Sequence, residues 1–227
     1  FYDSQFGYYL GGGTGAADAL KCDGKLVPLD QTKSWLAKSW ELKTENKLSL
    51  ERYASAGGIQ FVYSLKSGIS VEELNREGLY PNRILERAIT GEYTAIETLK
   101  DVSHTLAKLY HERIETLFAG WQSPFSFVNP NRAPLEPSHP YLGKVFDILI
   151  IGQRLGALME KSKESIYLWR PFLSHLEMLI SSNVKLDSQT KNHYLENGLE
   201  KMVHISQLRD APALGAGVDA VLHYKQS

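Results

Sequence analysis

The sequence contains a single cysteine, Cys22, in 227 residues. One thiol excludes an internal disulfide and a cysteine-rich zinc site, and it fits a reducing, cytoplasmic environment. Long apolar runs are missing as well. No stretch approaches the roughly 18 residues that suggest a membrane span. The most apolar run, Ile148-Leu149-Ile150-Ile151, has only the length of a strand. Neither charge is in excess: 25 Lys+Arg against 26 Asp+Glu leave a formal net charge of -1. Basic residues alternate with acidic ones, so there is no stripe or long-range field to favour nucleic acid or an acidic membrane. The sequence shows no signal peptide, internal repeat or low-complexity tract. It begins at Phe1 without a methionine and enters a glycine-rich strand almost at once. That suggests a domain cut from something longer; a processed or trimmed start is the alternative.

What is there reads as one soluble α/β domain. Hydrophobic residues make up 43%, enough for a sizeable core. Phe6–Leu10 reads as a strand that ends in Gly11-Gly12-Gly13-Thr14-Gly15, followed by a second strand over Ala16–Lys21. Asp23-Gly24 is a hairpin turn signal leading to a short third strand, Lys25–Leu29. Helices are expected after Ser55, from Ser70, over Pro81–Ile89 and over Gly91–Phe118, the last with apolar residues spaced three and four apart. Trp121–Pro140, rich in proline, reads as a loop. Phe146–Ile151 is apolar on both faces after Asp147, as expected of a buried strand, and runs into Gly152-Gln153-Arg154-Leu155-Gly156 and a helix over Ala157–Lys161. Helices over Leu168–Ser181 and Asp187–Leu199, a last strand over Lys201–Ser206, and Gly215-Ala216-Gly217 opening a helix complete the chain.

Two glycine turns thus follow strands directly, and a third cluster opens a helix. Successive N–H groups in such a turn can converge on an anion, and ligands in open α/β sheets bind beyond the carboxyl ends of strands. Gly11–Gly15 is therefore a candidate phosphate loop, with a plain glycine hairpin as the bland alternative. Asp18 can accept a hydrogen bond or reach Mg2+ through water, or be a solvated strand aspartate. Arg154 can stack on a base or form a surface ion pair. Asp3 lies just upstream of the first strand. Glu112 and Glu115 read as solvated helix charges, and His104 and His111 as core or surface histidines. Cys22 reads as structural. No Ser/His/Asp or Cys/His arrangement has local support.

The order of the pieces resembles the C-terminal lobe of the sugar-kinase, actin and Hsp70 superfamily, nearest to ROK-type sugar kinases and regulators. Leu10–Gly15 is similar to the family's second phosphate loop, Asp23–Leu26 to its "NGKL" hairpin, and Tyr53–Gly57 to its "aSG" segment. Thr90–Ala95 is similar to a "GDxxA" helix start, Ile150–Leu155 to the "IVLGGGL" adenosine segment, and Leu214–Gly217 to the terminal "lGAA" helix. The resemblance implies a ribonuclease-H-like lobe spanning residues 1–227, with a mixed five-stranded sheet, three antiparallel strands then two parallel, flanked by helices. It implies ATP and Mg2+ as cofactors and phosphoryl transfer to the hydroxyl of a sugar or small metabolite. Gly11, Gly12, Gly13, Thr14 and Gly15 would hold phosphates; Gly152, Gln153 and Arg154 would border ribose or adenine; Gly215 and Gly217 would lie under the base. The first phosphate loop, most sugar contacts and the catalytic aspartate would belong to an N-terminal lobe absent from this chain, so no catalytic residue is assigned. Two departures stand out. Gln31–Arg52 has neither His nor Cys, so the zinc motif usual in ROK enzymes is missing, and Gln153 replaces the second glycine of the adenosine segment. A non-catalytic regulator or pseudokinase lobe is the alternative, and the long helix could bury a second face in a homodimer.

Overall fold

The structure, a computed structural model, describes residues 3–122 and 125–208. Its centre is a five-stranded sheet in the order β3 (Lys25–Val27), β2 (Ala16–Cys22), β1 (Gly7–Gly12), β6 (Ile148–Gly152) and β7 (Val203–Ile205). Strand β1 (Gly7–Gly12) turns back antiparallel into β2 (Ala16–Cys22), and β2 into β3 (Lys25–Val27). The second turn places Asp23 and Gly24 at φ 49° and 75°, the paired positive values of a tight hairpin that Asp-Gly tolerates. Pro28 follows β3 directly, and a residue without an N–H cannot extend the ladder.

Between the hairpins and the rest of the sheet the chain is mostly helical. In order come α1 (Leu29–Thr32), a single 3-10 turn (Ser39–Glu41), the two-residue strand β4 (Leu42–Lys43), α2 (Glu51–Ala54) and α3 (Ala56–Ser67). Then follow α4 (Val71–Arg76), α5 (Pro81–Ile89) and α6 (Tyr93–Ala119), a helix of 27 residues. Local chemistry sets the starts. Ser55 Oγ accepts from the N–H of Gly58 and Ser70 Oγ from that of Glu73, satisfying first-turn donors. Pro81 sits in the first turn of α5, where its missing N–H is harmless.

Strand β5 (Ser126–Phe127) pairs with β4, forming a small ribbon inside a segment that reads as loop. Strand β6 (Ile148–Gly152) returns to the main sheet parallel to β1, and α7 (Gln153–Ser162) starts immediately after it. Helices α8 (Trp169–Ser182), α9 (Ser188–Leu195) and α10 (Leu199–Met202) precede β7 (Val203–Ile205), parallel to β6. Three antiparallel strands followed by two parallel ones is the expected arrangement. Helix α7 begins four residues before the expected Ala157, and the expected Asp187–Leu199 helix is interrupted before α10.

The core lies between the sheet and α6, with α8 behind it. Tyr8 meets Tyr110 edge-to-face at 5.5 Å, and Tyr110 meets Phe172 at 5.5 Å. Tyr110 Oη donates to the Ile150 carbonyl at 2.9 Å, tying α6 to strand β6. Alternation along β1 puts Tyr8 and Leu10 into this core and leaves Tyr9 and Gly11 on the opposite face.

Two charge expectations are corrected here. Glu112 and Glu115 are buried rather than solvated. Residues 112–117 of α6 are buried in succession, all round the helix. Asp18 is neither solvated nor directed at a metal. It stands opposite Leu10 and so points into the core, its side chain 2% exposed. Its oxygens accept from Tyr8 Oη, from the N–H and Oγ of Ser39 at 2.8 and 2.6 Å, and from Arg113 at 3.5 Å. Cys22 is buried in β2, where burial pushes its thiol up to about 12.

Candidate functional site

Strands β1 and β6 run parallel and in register, so their carboxyl ends bring Gly11 beside Gly152. Much of the glycine content here answers packing. The ring of Tyr9 crosses both residues, and a β-carbon on Gly152 would sit 2.3 Å from Tyr9 Oη; on Gly11 it would sit 2.8 Å from the ring. On Gly12 a β-carbon would meet the Ala54 carbonyl oxygen at 2.0 Å, because the joint between α2 and α3 rests on the end of β1. The Tyr9 hydroxyl itself is buried without a hydrogen-bond partner among the described residues, and burial pushes its ionisation up.

The loop is held open by a small set of bonds. Gly13 N–H donates to the Gly15 carbonyl at 2.9 Å, and Ala56 N–H, at the start of α3, donates to the Gly13 carbonyl at 3.1 Å. Ala16 N–H donates to Glu51 Oε1 at 3.2 Å. The N–H groups of Thr14, Gly15 and Gly57 donate to nothing among the described residues. Thr14 and Gly15 are exposed. Two unpaired amides at the end of a strand, beside the N-terminus of a helix, present the polarity an anion needs. Gly13 N–H, expected among the phosphate ligands, is already committed within the loop.

Sequence reasoning missed Glu51. The signal was a carboxylate one helical turn before the capping serine; its position against the loop comes from the α2–α3 joint. Its Oε1 lies 2.7 Å from where a β-carbon on Gly15 would be, placing an acceptor next to the unpaired amides.

Gln153 is the first residue of α7 and lies at φ 60°, in the left-handed region. Its backbone bridges Gly12, and its side chain reaches back over the loop. Beside it opens a cavity of about 370 Å³ lined by Gln153, Ala157, Glu160, Lys161, Glu164, Ile205, Ser206 and Gln207. Gly11–Gly15, Gly152 and Gln153 are therefore brought together at one edge of the sheet. Arg154 is exposed and makes no ion pair among the described residues. Asp3 is exposed just before β1. Gly215 and Gly217 lie outside the described residues. Among the described residues no group of three or more His, Cys, Asp and Glu side chains is placed to hold a metal ion.

No protein-family model matches the chain, and no curated protein matches it by sequence. Solved structures do match by shape. A ROK family protein from Streptococcus pneumoniae TIGR4 in complex with sucrose aligns over 99% of this chain at TM-score 0.57 and 14% identity. A glucokinase from an Antarctic psychrotroph aligns over 98% at TM-score 0.51 and 16% identity. The fold is the one found in ROK-family sugar kinases. A ROK family glucokinase from Streptomyces griseus, solved with glucose and AMPPNP, aligns over 87% of the chain at TM-score 0.50 and 10% identity. The chain spans 61%, 59% and 62% of those three structures in turn.

Proposed function

We propose that this chain is the nucleotide-binding lobe of an ATP-dependent kinase for a sugar or small metabolite. The observation that carries the reading is the pair of unpaired N–H groups on Thr14 and Gly15, set between the cavity beside α7 and the start of α3. A nucleotide whose base lay in that cavity would point its phosphates along Gly152 and Gln153 toward the loop. The structures solved with AMPPNP, glucose and sucrose share this fold.

Each residue then has a role. The Thr14 and Gly15 amides and the Thr14 hydroxyl hold phosphate oxygens. Gly11 and Gly12 keep the strand end flat, and Gly13 closes the turn. Gly152, Gln153 and Arg154 border the ribose and base, with Gly215 and Gly217 completing the base site. Phosphoryl transfer depends on positioning and on neutralising charge over the phosphates. Mg2+ bound through phosphate oxygens and water would supply that neutralisation, and Glu51 is the carboxylate beside the loop. The catalytic carboxylate and most acceptor contacts belong to a partner lobe in this reading. Work in a reducing, cytoplasmic setting suits a chain whose sole thiol stays protonated.

The test is calorimetry of the full-length protein with AMPPNP and Mg2+. Saturable binding with a dissociation constant between roughly a micromolar and a millimolar is expected. No heat and no thermal shift at millimolar nucleotide would leave the regulator or pseudokinase reading.

A further inference from the structure

We infer that the Gln153 side chain is a gate lying on the phosphate loop, which must swing away before a nucleotide's phosphates can reach Thr14 and Gly15. The inference rests on the nucleotide-binding reading above.

Gly13 is open on one side, and what fills that side is Gln153. Its Oε1 lies 2.6 Å from where a β-carbon on Gly13 would be, and its carboxamide carbon lies 3.1 Å from the same point on Gly11. The room that missing side chains leave for a ligand is occupied by a residue of the protein itself. The backbone beneath is unusual: Gln153 is one of four described non-glycine residues at positive φ, a conformation that costs energy for a residue with a β-carbon. That conformation starts α7 directly at the end of β6 and turns the side chain back across the loop.

The same side chain also lines the 370 Å³ cavity. It therefore stands at the junction between the space for a base and the amides for phosphates. Any ligand spanning the two must pass it. The carboxamide hydrogen-bonds to no described residue, so packing alone holds it in place. A long side chain held only by packing changes rotamer at low cost. The gate is thus closed but unlocked, and apparent affinity falls by the fraction of molecules in which it is open.

The experiment compares wild type, Gln153→Ala and Gln153→Gly in the full-length protein, titrated with AMPPNP and, separately, with adenosine. Alanine removes the carboxamide and keeps the left-handed strain; glycine removes both. Both variants should bind AMPPNP at least about threefold tighter than wild type, while adenosine, which carries no phosphates for the gate to block, gains nothing. Tighter binding by the glycine variant alone would assign the effect to backbone strain and overturn the gate. Weaker AMPPNP binding by either variant would show that Gln153 holds the ligand more than it blocks it, and would overturn the gate too. An equal gain for adenosine would place the obstruction in the cavity rather than on the loop, which also overturns it. Binding by none of the three proteins would overturn the nucleotide reading and the gate with it, whereas the other adverse outcomes leave that reading standing.

Discussion

Arg113 is the most consequential side chain outside the loop. It is fully buried, its guanidinium lies 5.3 Å from the centre of the Tyr8 ring, and it bonds Glu112 at 2.9 Å and Asp18 at 3.5 Å. Burial alone would disfavour its charge, but Glu112, Tyr8 and Asp18 outweigh that and hold it protonated above the ordinary arginine value. Burial pushes the Glu112 carboxyl up, against the pull of Arg113. Removing the cation strands two carboxylates away from water. Arg113→Met should therefore cost about 3–5 kcal/mol, read from urea unfolding, and adding Asp18→Asn should recover part of it. A loss under about 1 kcal/mol would show that these charges are not buried together. None of this was readable in the sequence. Asp18 follows the glycine loop closely enough to suggest a ligand, and a Glu-Arg pair on a helix looks like surface. Only strand register, which places Asp18 opposite Leu10, turns the aspartate inward.

The joint between α2 and α3 shows how an element depends on single glycines. A β-carbon on Gly58 would come within 2.5 Å of the Arg52 backbone, whereas on Gly57 the nearest atom is 4.0 Å away. Gly57→Ala should then be neutral or stabilise by up to about 1 kcal/mol through helix propensity, while Gly58→Ala should destabilise by about 1–3 kcal/mol. Thermal melts of the two variants, moving in opposite directions or by clearly different amounts, check this. The interface between α6 and α8 carries a pH dependence. His104 and His175 stack with ring centres 4.3 Å apart. Burial lowers the ionisation of both below the ordinary 6.5; Lys100 and Lys108 add to this for His104 against Asp101 and Glu97, and His104, Lys108 and His111 add to it for His175. A base whose folded value is depressed binds fewer protons folded than unfolded, so its contribution is full above about 6.5 and is lost as pH falls. Unfolding free energy should decline below pH 6.5, and His175→Gln should flatten the decline. Elements of this kind were legible where they carry local signals: the Asp-Gly turn, the Ser55 and Ser70 caps, the apolar spacing of α6. The β4–β5 ribbon was not, because two-residue strands more than 80 positions apart leave no periodicity to read.

At the scale of the molecule, the sheet order brings Gly11–Gly15, Gly152 and Gln153 together at the carboxyl ends of β1 and β6. Glycine turns that follow strands gave that place away in the sequence. Which glycines serve a ligand did not show, since Gly11, Gly12 and Gly152 are also demanded by Tyr9 and Ala54. A ligand bound only by the folded chain stabilises it by mass action, about 2.7 kcal/mol at a hundred times its dissociation constant. For a chain of this size that corresponds to a rise in Tm of roughly 5–10 °C. AMPPNP should produce such a rise, and adenosine at the same multiple of its own constant should match it. A flat response to AMPPNP counts against the proposed function.

Cys22 gives the sheet a private clock. The only thiol of the chain is sealed in β2 and kept protonated with its ionisation pushed to about 12. A thiolate-seeking reagent in neutral buffer therefore has nothing to attack until the hairpin strands part. At reagent concentrations where reaction outpaces reclosing, labelling proceeds at the frequency of that parting, with no second cysteine to blur the count. Followed by mass spectrometry with and without nucleotide, the same atom reports whether an occupied loop quiets the strands that carry it.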